Sequence, residues 1–472
     1  MQEHRRKPKV LSRKPAISPA RTAAFEVLLR VEREDSYASE LLHAPTYKDL
    51  STRDHALATE LVMGALRWRP QLDEEIAAFS SQSLARLDPE ILVALRLALY
   101  QFRHLDRVPL HAALNDSVEL VKHARKRSAA PFVNAVLRKL STATAKPAQS
   151  FAAGDQSSPV EALARAFAHP LWLVERWTRE FGLAAAQKIC AYDQTVPQTV
   201  IRLRTSFPTP TVEAELGNEG IRLTPGDFLA TARRVESGDV TGTQAFQDGR
   251  VVIQDEGSQL VAALAGQDVA GTKILDCCAA PGGKTLAIAD RNPRATIIAT
   301  ELHPHRARLM QNLMRSAHTA ASIRIVAADA QFLPTSFHFD RVLADVPCSG
   351  TGTLARNPEI KWRLRPEDLL DLQSRQCAIL ESALAQVAPG GRVIYSTCSL
   401  EREENEAVIE KVLSSKTSFR VIDCRGELER LRAAADLVWN DLESLTRGPY
   451  LRTIPGIHPC DGFFAAVLEK LH

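Results

Sequence analysis

The feature that most constrains this chain is a change of rhythm near Lys273. From there, short apolar runs of strand length alternate with helical runs: strands at 273–276, 296–300, 323–326, 341–345 and 392–396, with helices such as 306–317 and 367–387 between them. Alternation of this kind buries its apolar faces as a mostly parallel sheet with helices on both sides. Ligands in such sheets bind outside the carboxyl ends of the strands. Chemistry is therefore expected just after each run.

The preceding chain has a different character. Residues 19–140 read as helical throughout: Ala24, Val27, Leu28 and Val31 share a face, as do Ile91, Leu95, Leu99 and Phe102, and Leu114, Val118 and Val121. Ser51 and Thr52 stand where a helix cap is expected. A Ser-, Ala- and Pro-rich linker at 141–158 leads to a small α/β module at 159–250, with a helix over 170–182 and a strand over 199–203. The sheet domain then fills 251–472.

Among the 472 residues, no apolar run reaches the roughly 18 needed to span a membrane, so no membrane is expected. The N-terminus lacks the apolar segment of a secretory signal. Eight cysteines show no C-x-x-C spacing, which excludes an obvious zinc site, and no metal is expected. The thiols are expected to be reduced, in the cytoplasm. The net charge of +3 conceals local bias. The basic tail at 1–18, with Arg21 just beyond, carries seven Lys/Arg against Glu3 alone. A second cluster comprises Lys122, His123, Arg125, Lys126, Arg127, Arg138 and Lys139. Basic patches grip phosphate backbones, although a solvated helix face would read the same way.

At the first strand end stands Asp276-Cys277-Cys278-Ala279-Ala280-Pro281-Gly282-Gly283-Lys284-Thr285. Small residues let a cofactor approach the backbone, and glycines permit the tight turn into the next helix. It is neither G-x-G-x-x-G nor a P-loop, which disfavours a dinucleotide oxidoreductase and a nucleoside triphosphatase. Glu301 follows the second strand, where an acid can accept from ribose hydroxyls. Asp329 follows the third, placed for an adenine amino group.

The fourth strand ends in Asp345-Val346-Pro347-Cys348-Ser349-Gly350-Thr351-Gly352, the fifth in Tyr395-Ser396-Thr397-Cys398-Ser399. A lone cysteine is usually a small core residue. Two cysteines and an acid converging on one edge of the sheet, among Ser, Thr, Gly and Pro, favour chemistry.

These segments resemble the motifs of the RNA cytosine-5 methyltransferases, and nearly the whole chain is similar to the bacterial RsmB (Sun/Fmu) branch, which joins a NusB-like helical domain to the methyltransferase. Glu60-Leu61-Val62-Met63-Gly64-Ala65-Leu66-Arg67, Tyr100-Gln101-Phe102, Val108-Pro109 and Phe132–Arg138 carry the NusB-like part of the resemblance. Gln254-Asp255-Glu256-Gly257-Ser258, Asn357-Pro358-Glu359-Ile360-Lys361-Trp362 and Asp461-Gly462-Phe463-Phe464 carry more. The resemblance implies a class I, Rossmann-like domain using S-adenosyl-L-methionine. Cys278, Ala279, Ala280, Pro281, Gly282, Gly283, Lys284, Glu301, Asp329 and Asp345 would bind it. It implies Cys398 as the nucleophile, Cys348 as the residue assisting release, and Asp345 as a hydrogen-bond donor to the base, with Lys284 orienting Asp345 or the base. The implied substrate is an unpaired cytosine of 16S ribosomal RNA, and a monomer is expected.

Two departures from the family stand out. Arg202-Leu203-Arg204-Thr205 replaces an Arg-Val-Asn, and the segment 425–457 is long. Two rival readings remain. A transfer RNA cytosine-5 methyltransferase shares the catalytic motifs but not the helical domain. A non-catalytic ribosome-assembly factor predicts eroded motifs, whereas Asp345, Cys348 and Cys398 are all present.

Overall fold

A computed structural model describes residues 17–34, 36–143, 158–267, 271–333 and 338–472. The basic tail at 1–16 and most of the linker fall outside them. The chain divides into two compact units, Met1–Asp155 and Gln156–His472.

The described part of the first unit is helical throughout, as its apolar periodicity predicts. Its α-helices are Pro19–Glu34, Ala38–Leu42, Thr52–Arg67, Arg69–Phe79, Pro89–His104, Leu110–His123 and Ala130–Thr142. Ser51 caps the helix Thr52–Arg67 by accepting from the Asp54 amide. The predicted apolar faces form one core around Val27, Leu61, Leu95 and Leu99. Gly64 lets that helix lie against Tyr100, whose ring a Cβ would overlap at 1.9 Å. The basic cluster is partly neutralised, because Lys122 pairs with Glu119 and Lys126 with Asp88. Arg125, Arg127, Arg138 and Lys139 are exposed and form no ion pair with a described residue.

The second unit opens with the helices Pro159–Ala166, Leu171–Phe181 and Leu183–Asp193. They lead into an antiparallel sheet of β1 (Val200–Leu203), β2 (Arg222–Pro225), β3 (Ala232–Ser237) and β4 (Val251–Ile253), in the order β2-β3-β1-β4. Because β4 pairs with β1, this small sheet runs past residue 250. Arg202 and Arg204, at the Arg-Leu-Arg-Thr departure, are not presented to RNA. Both are buried and ion-paired with Asp290, at 2.5 and 2.8 Å.

The large sheet holds β5 (Lys273–Asp276), β6 (Thr296–Glu301), β7 (Ser322–Ala327), β8 (Phe339–Asp345), β9 (Val387–Thr397), β10 (Phe419–Ile422), β11 (Thr446–Arg447), β12 (Tyr450–Thr453) and β13 (Phe463–Lys470). Its order is β11-β12-β13-β9-β8-β5-β6-β7, with β10 also on β13. Strands β5 to β9 pair in parallel, as their alternation with helices requires, and β13 runs antiparallel to β9. The chain proceeds outward from β5 through β6 to β7 and returns to β8 on the other side. The switch of direction opens a crevice at the carboxyl ends of β5 and β8. The long segment 425–457 packs inward in part. Trp439 meets Phe228 edge-on at 4.9 Å, and the Val438 amide bonds the Phe228 carbonyl. No described helix is long and apolar enough to cross a membrane.

Candidate active site

The β8–β9 register sets Asp345 opposite Ser396, so the residues that follow each leave the sheet side by side. The Ser396 hydroxyl donates to Asp345 Oδ1 at 2.7 Å, and Lys284 Nζ lies 2.8 Å from Oδ2. Lys284 comes from the start of the helix Gly283–Arg291, directly after β5. Thus β8, β9 and the helix that follows β5 each contribute one side chain to this contact. Burial alone would lower the Lys284 ammonium, but the Asp345 charge and hydrogen bond outweigh it and hold the lysine above its ordinary range. The Phe463 ring lies 5.1 Å from Lys284 Nζ and supports its placement.

Beyond this pair, Cys348 Sγ and Cys398 Sγ are 3.3 Å apart. The hydrogen bond to Cys398, followed by burial, holds the Cys348 thiol well above the ordinary cysteine range. At this distance either sulfur can donate to the other. The other six cysteines are free, and all but Cys278 are buried.

The loop after β5 has the shape a cofactor cradle needs. Gly282 takes φ +109°, and a Cβ there would press within 2.9 Å of Met314. Cys278, Ala279, Ala280, Pro281 and Gly283 complete the turn, whose Ala280–Pro281 bond is cis. Beneath it, buried Asp276 accepts from the Thr285 hydroxyl at 2.6 Å. Burial pushes the Asp276 carboxyl up to about 7, with the Thr285 hydrogen bond opposing. Glu301 closes β6, and its Oε1 accepts from the His303 amide at 2.9 Å. Asp329 lies past β7 and caps the following turn through the Gln331 amide. Each acid thus has one carboxylate oxygen fixed and one that accepts from no described residue. These free acceptors on successive strand ends fit a nucleoside with ribose hydroxyls and an amino group.

Several functional neighbours were not singled out by their sequence. Glu404 lies in the charged run Glu401-Arg402-Glu403-Glu404, which reads as a solvated turn, yet Glu401 and Glu404 are both buried. The carboxyl of Glu404 accepts from the Ser349 amide at 2.8 Å, the Ser349 and Ser399 hydroxyls, and Gln376 Nε2 at 2.9 Å. Asn405 accepts from the Thr397 hydroxyl and donates to the Ser399 carbonyl. Arg356, directly before the segment Asn357–Trp362, ties Asp255 to Asp461 at 3.2 and 2.8 Å, which joins two of the matching segments. A spacing of three in Glu401 and Glu404 puts both on one side of a turn, and this was the only available signal.

A doubly wound domain with two thiols at its crevice has the architecture of the Rossmann-like methyltransferases. Residues 261–469 match the model of the family 16S rRNA methyltransferase RsmB/F, and residues 18–142 match the NusB family. A Bacillus subtilis protein named probable ribosomal RNA small subunit methyltransferase B is 32% identical, covering 95% of this chain and 98% of its own. The Vibrio cholerae ribosomal RNA small subunit methyltransferase B is 31% identical, with coverage of 97% and 98%. The solved structure of PH0851 superposes with a TM-score of 0.80 at 22% identity, over 97% of this chain and 100% of that one. NSun6 from Pyrococcus horikoshii, solved with SFG, gives 0.54 at 19% identity over 63% and 97%. The chain belongs to the RsmB/F family. It is an S-adenosylmethionine-dependent RNA cytosine-5 methyltransferase with an N-terminal NusB region.

Proposed function

We propose that the protein methylates carbon 5 of one unpaired cytosine in 16S ribosomal RNA through a covalent bond between Cys398 and the base. The observation that carries this reading is the 3.3 Å thiol pair beside an ion-paired Asp345. Carbon 5 of cytosine is too weak a nucleophile by itself. Addition of the Cys398 thiolate to carbon 6 makes it enamine-like and divides one hard step into easier ones. Asp345, fixed by Ser396 and Lys284, takes a proton from the Lys284 ammonium and passes it to the ring nitrogen, which neutralises the adduct and leaves Asp345 ionised and Lys284 neutral. S-adenosylmethionine, held by the loop from Cys278 to Lys284 with Glu301, Asp329 and Asp345, supplies an electrophilic methyl group. Once carbon 5 is methylated, its proton passes to the Cys348 sulfur as that thiol returns its own proton to the departing Cys398 sulfur, and the pair left at carbon 5 forms the double bond to carbon 6 as the carbon–sulfur bond breaks.

A base attacked at carbon 6 must be unstacked, so a loop cytosine is the expected target. The NusB region and the names of the full-length relatives support ribosomal over transfer RNA. The basic residues supply phosphate grip, and a cytoplasmic setting keeps both thiols reduced. Bisulfite sequencing of total RNA with and without the gene tests the target. Loss of signal in 16S RNA is expected, and loss confined to transfer RNA would transfer the assignment to that substrate. Cys398→Ala should abolish both methylation and the adduct, whereas Cys348→Ala should trap a denaturant-stable protein–RNA adduct. Adducts on Cys398→Ala would reverse the two roles.

A further inference from the structure

One buried acid in this fold touches neither the base nor the cofactor loop, yet its contacts converge on the two cysteines. Ser349 directly follows Cys348, and Ser399 directly follows Cys398. Both hydroxyls donate to Glu404 Oε2, while the Ser349 amide donates to Oε1 at 2.8 Å. The two hydroxyls also lie 3.1 Å from each other. Gln376 Nε2 bonds Glu404 Oε1 and the Pro347 carbonyl, each at 2.9 Å, which fixes the residue before Cys348 as well. The Tyr395 hydroxyl donates to the Glu404 carbonyl at 2.6 Å and anchors its backbone to β9. Glu404 is fully buried. A buried acid is costly unless it is fully hydrogen-bonded, and an apolar residue could fill the same volume. Three donors converging on this acid from both cysteine loops, with Gln376 as a fourth, give it a purpose that packing does not require.

We propose that Glu404 is a positioning residue for methyl transfer: it clasps the residue after each cysteine and so sets the approach of Cys348 to Cys398. The clasp rests on the assignment of Cys398 as nucleophile and Cys348 as its helper. Held together, Cys348 can return a proton to Cys398 at elimination. Released, the loops part and the adduct outlives its turnover.

The test uses the full chain carrying Glu404→Gln, which keeps the volume but turns an NH2 group toward donors. Expected are a kcat at least tenfold lower, an S-adenosylmethionine affinity within twofold of wild type, and accumulation of denaturant-stable RNA adduct. A second measurement depends on geometry alone. Diamide oxidises the two thiols to a disulfide, their hydrogens passing to its N=N bond, and in Glu404→Gln the Cys348–Cys398 disulfide should form at least tenfold more slowly. A disulfide rate within twofold of wild type overturns the clasp. If Glu404→Gln loses cofactor binding, the double variant Ser349→Ala/Ser399→Ala retains Glu404 and should slow the disulfide severalfold; an unchanged rate there also overturns it. A wild-type chain that methylates no RNA while Glu404→Gln still slows the disulfide leaves the clasp standing and defeats the functional reading.

Discussion

Gly352→Ala offers a stringent test of how closely the catalytic loops are packed. Gly352 donates to the Cys398 carbonyl at 2.9 Å and accepts from the Gly462 amide at 2.7 Å, so it lies between the nucleophile's loop and the Asp-Gly-Phe-Phe segment. A Cβ there would fall 2.2 Å from the Gly462 carbonyl oxygen and 2.8 Å from that of Cys398. A tolerable carbon–oxygen contact is about 3.3 Å. Both obstacles are backbone, and neither can rotate away. The loops must open by about 1 Å on one side and about half that on the other. Weakening two hydrogen bonds costs about 1–3 kcal/mol of stability. Misplacing a reacting group by about 1 Å costs about 10²-fold in rate. That corresponds to about 2.7 kcal/mol of barrier. The cofactor loop follows β5 and shares none of these contacts, so its affinity should hold. Single-turnover methyl transfer to a 16S transcript, paired with calorimetric titration of S-adenosylmethionine, measures both. A folded Gly352→Ala protein with kcat within threefold of wild type would refute the close packing of these loops.

Asp276 links stability to pH, because burial raises its carboxyl from 3.8 to about 7. An acid whose folded value is raised stabilises the fold below about 4, and that contribution disappears as pH rises through about 7. At 1.36 kcal/mol per pH unit the swing is roughly 4 kcal/mol. The melting temperature of Asp276→Asn relative to wild type should therefore increase between pH 5 and 8; a constant difference would exclude the titration. Asp290→Ala leaves the buried guanidinium groups of Arg202 and Arg204 without their shared partner and should cost about 3–5 kcal/mol in denaturant unfolding. A loss under about 1 kcal/mol would show that these arginines find other acceptors. Arg125→Glu with Arg127→Glu should weaken RNA binding and flatten its logarithmic salt dependence by about 0.7–0.9 for each lost phosphate contact, with cofactor affinity unchanged. An unaltered slope removes this patch from the RNA interface.

What could be read from the sequence follows from what each residue had to satisfy locally. Strands β5 to β9 lie near their expected positions because parallel strands are apolar runs bounded by turn residues, and the site residues fall at their ends for the same reason. The pairing of Lys284 with Asp345 needed one more step, the strand order that sets β5 beside β8. Longer-range relations left no local trace. Strand β13 is buried along most of its length and has no alternation to give its antiparallel place beside β9. Arg202 and Arg204 look like surface residues in any window, and only the distant Asp290 makes them core. Glu404 is the sharpest case. Its neighbours Arg402 and Glu403 are partly or fully exposed, and nothing local distinguishes it from them. Its role becomes visible only when two loops separated by 50 residues are brought together and each is found to turn a serine toward the same carboxyl group. Apolar pattern thus locates the strand ends, while the buried polar contacts that align those ends depend on the complete fold.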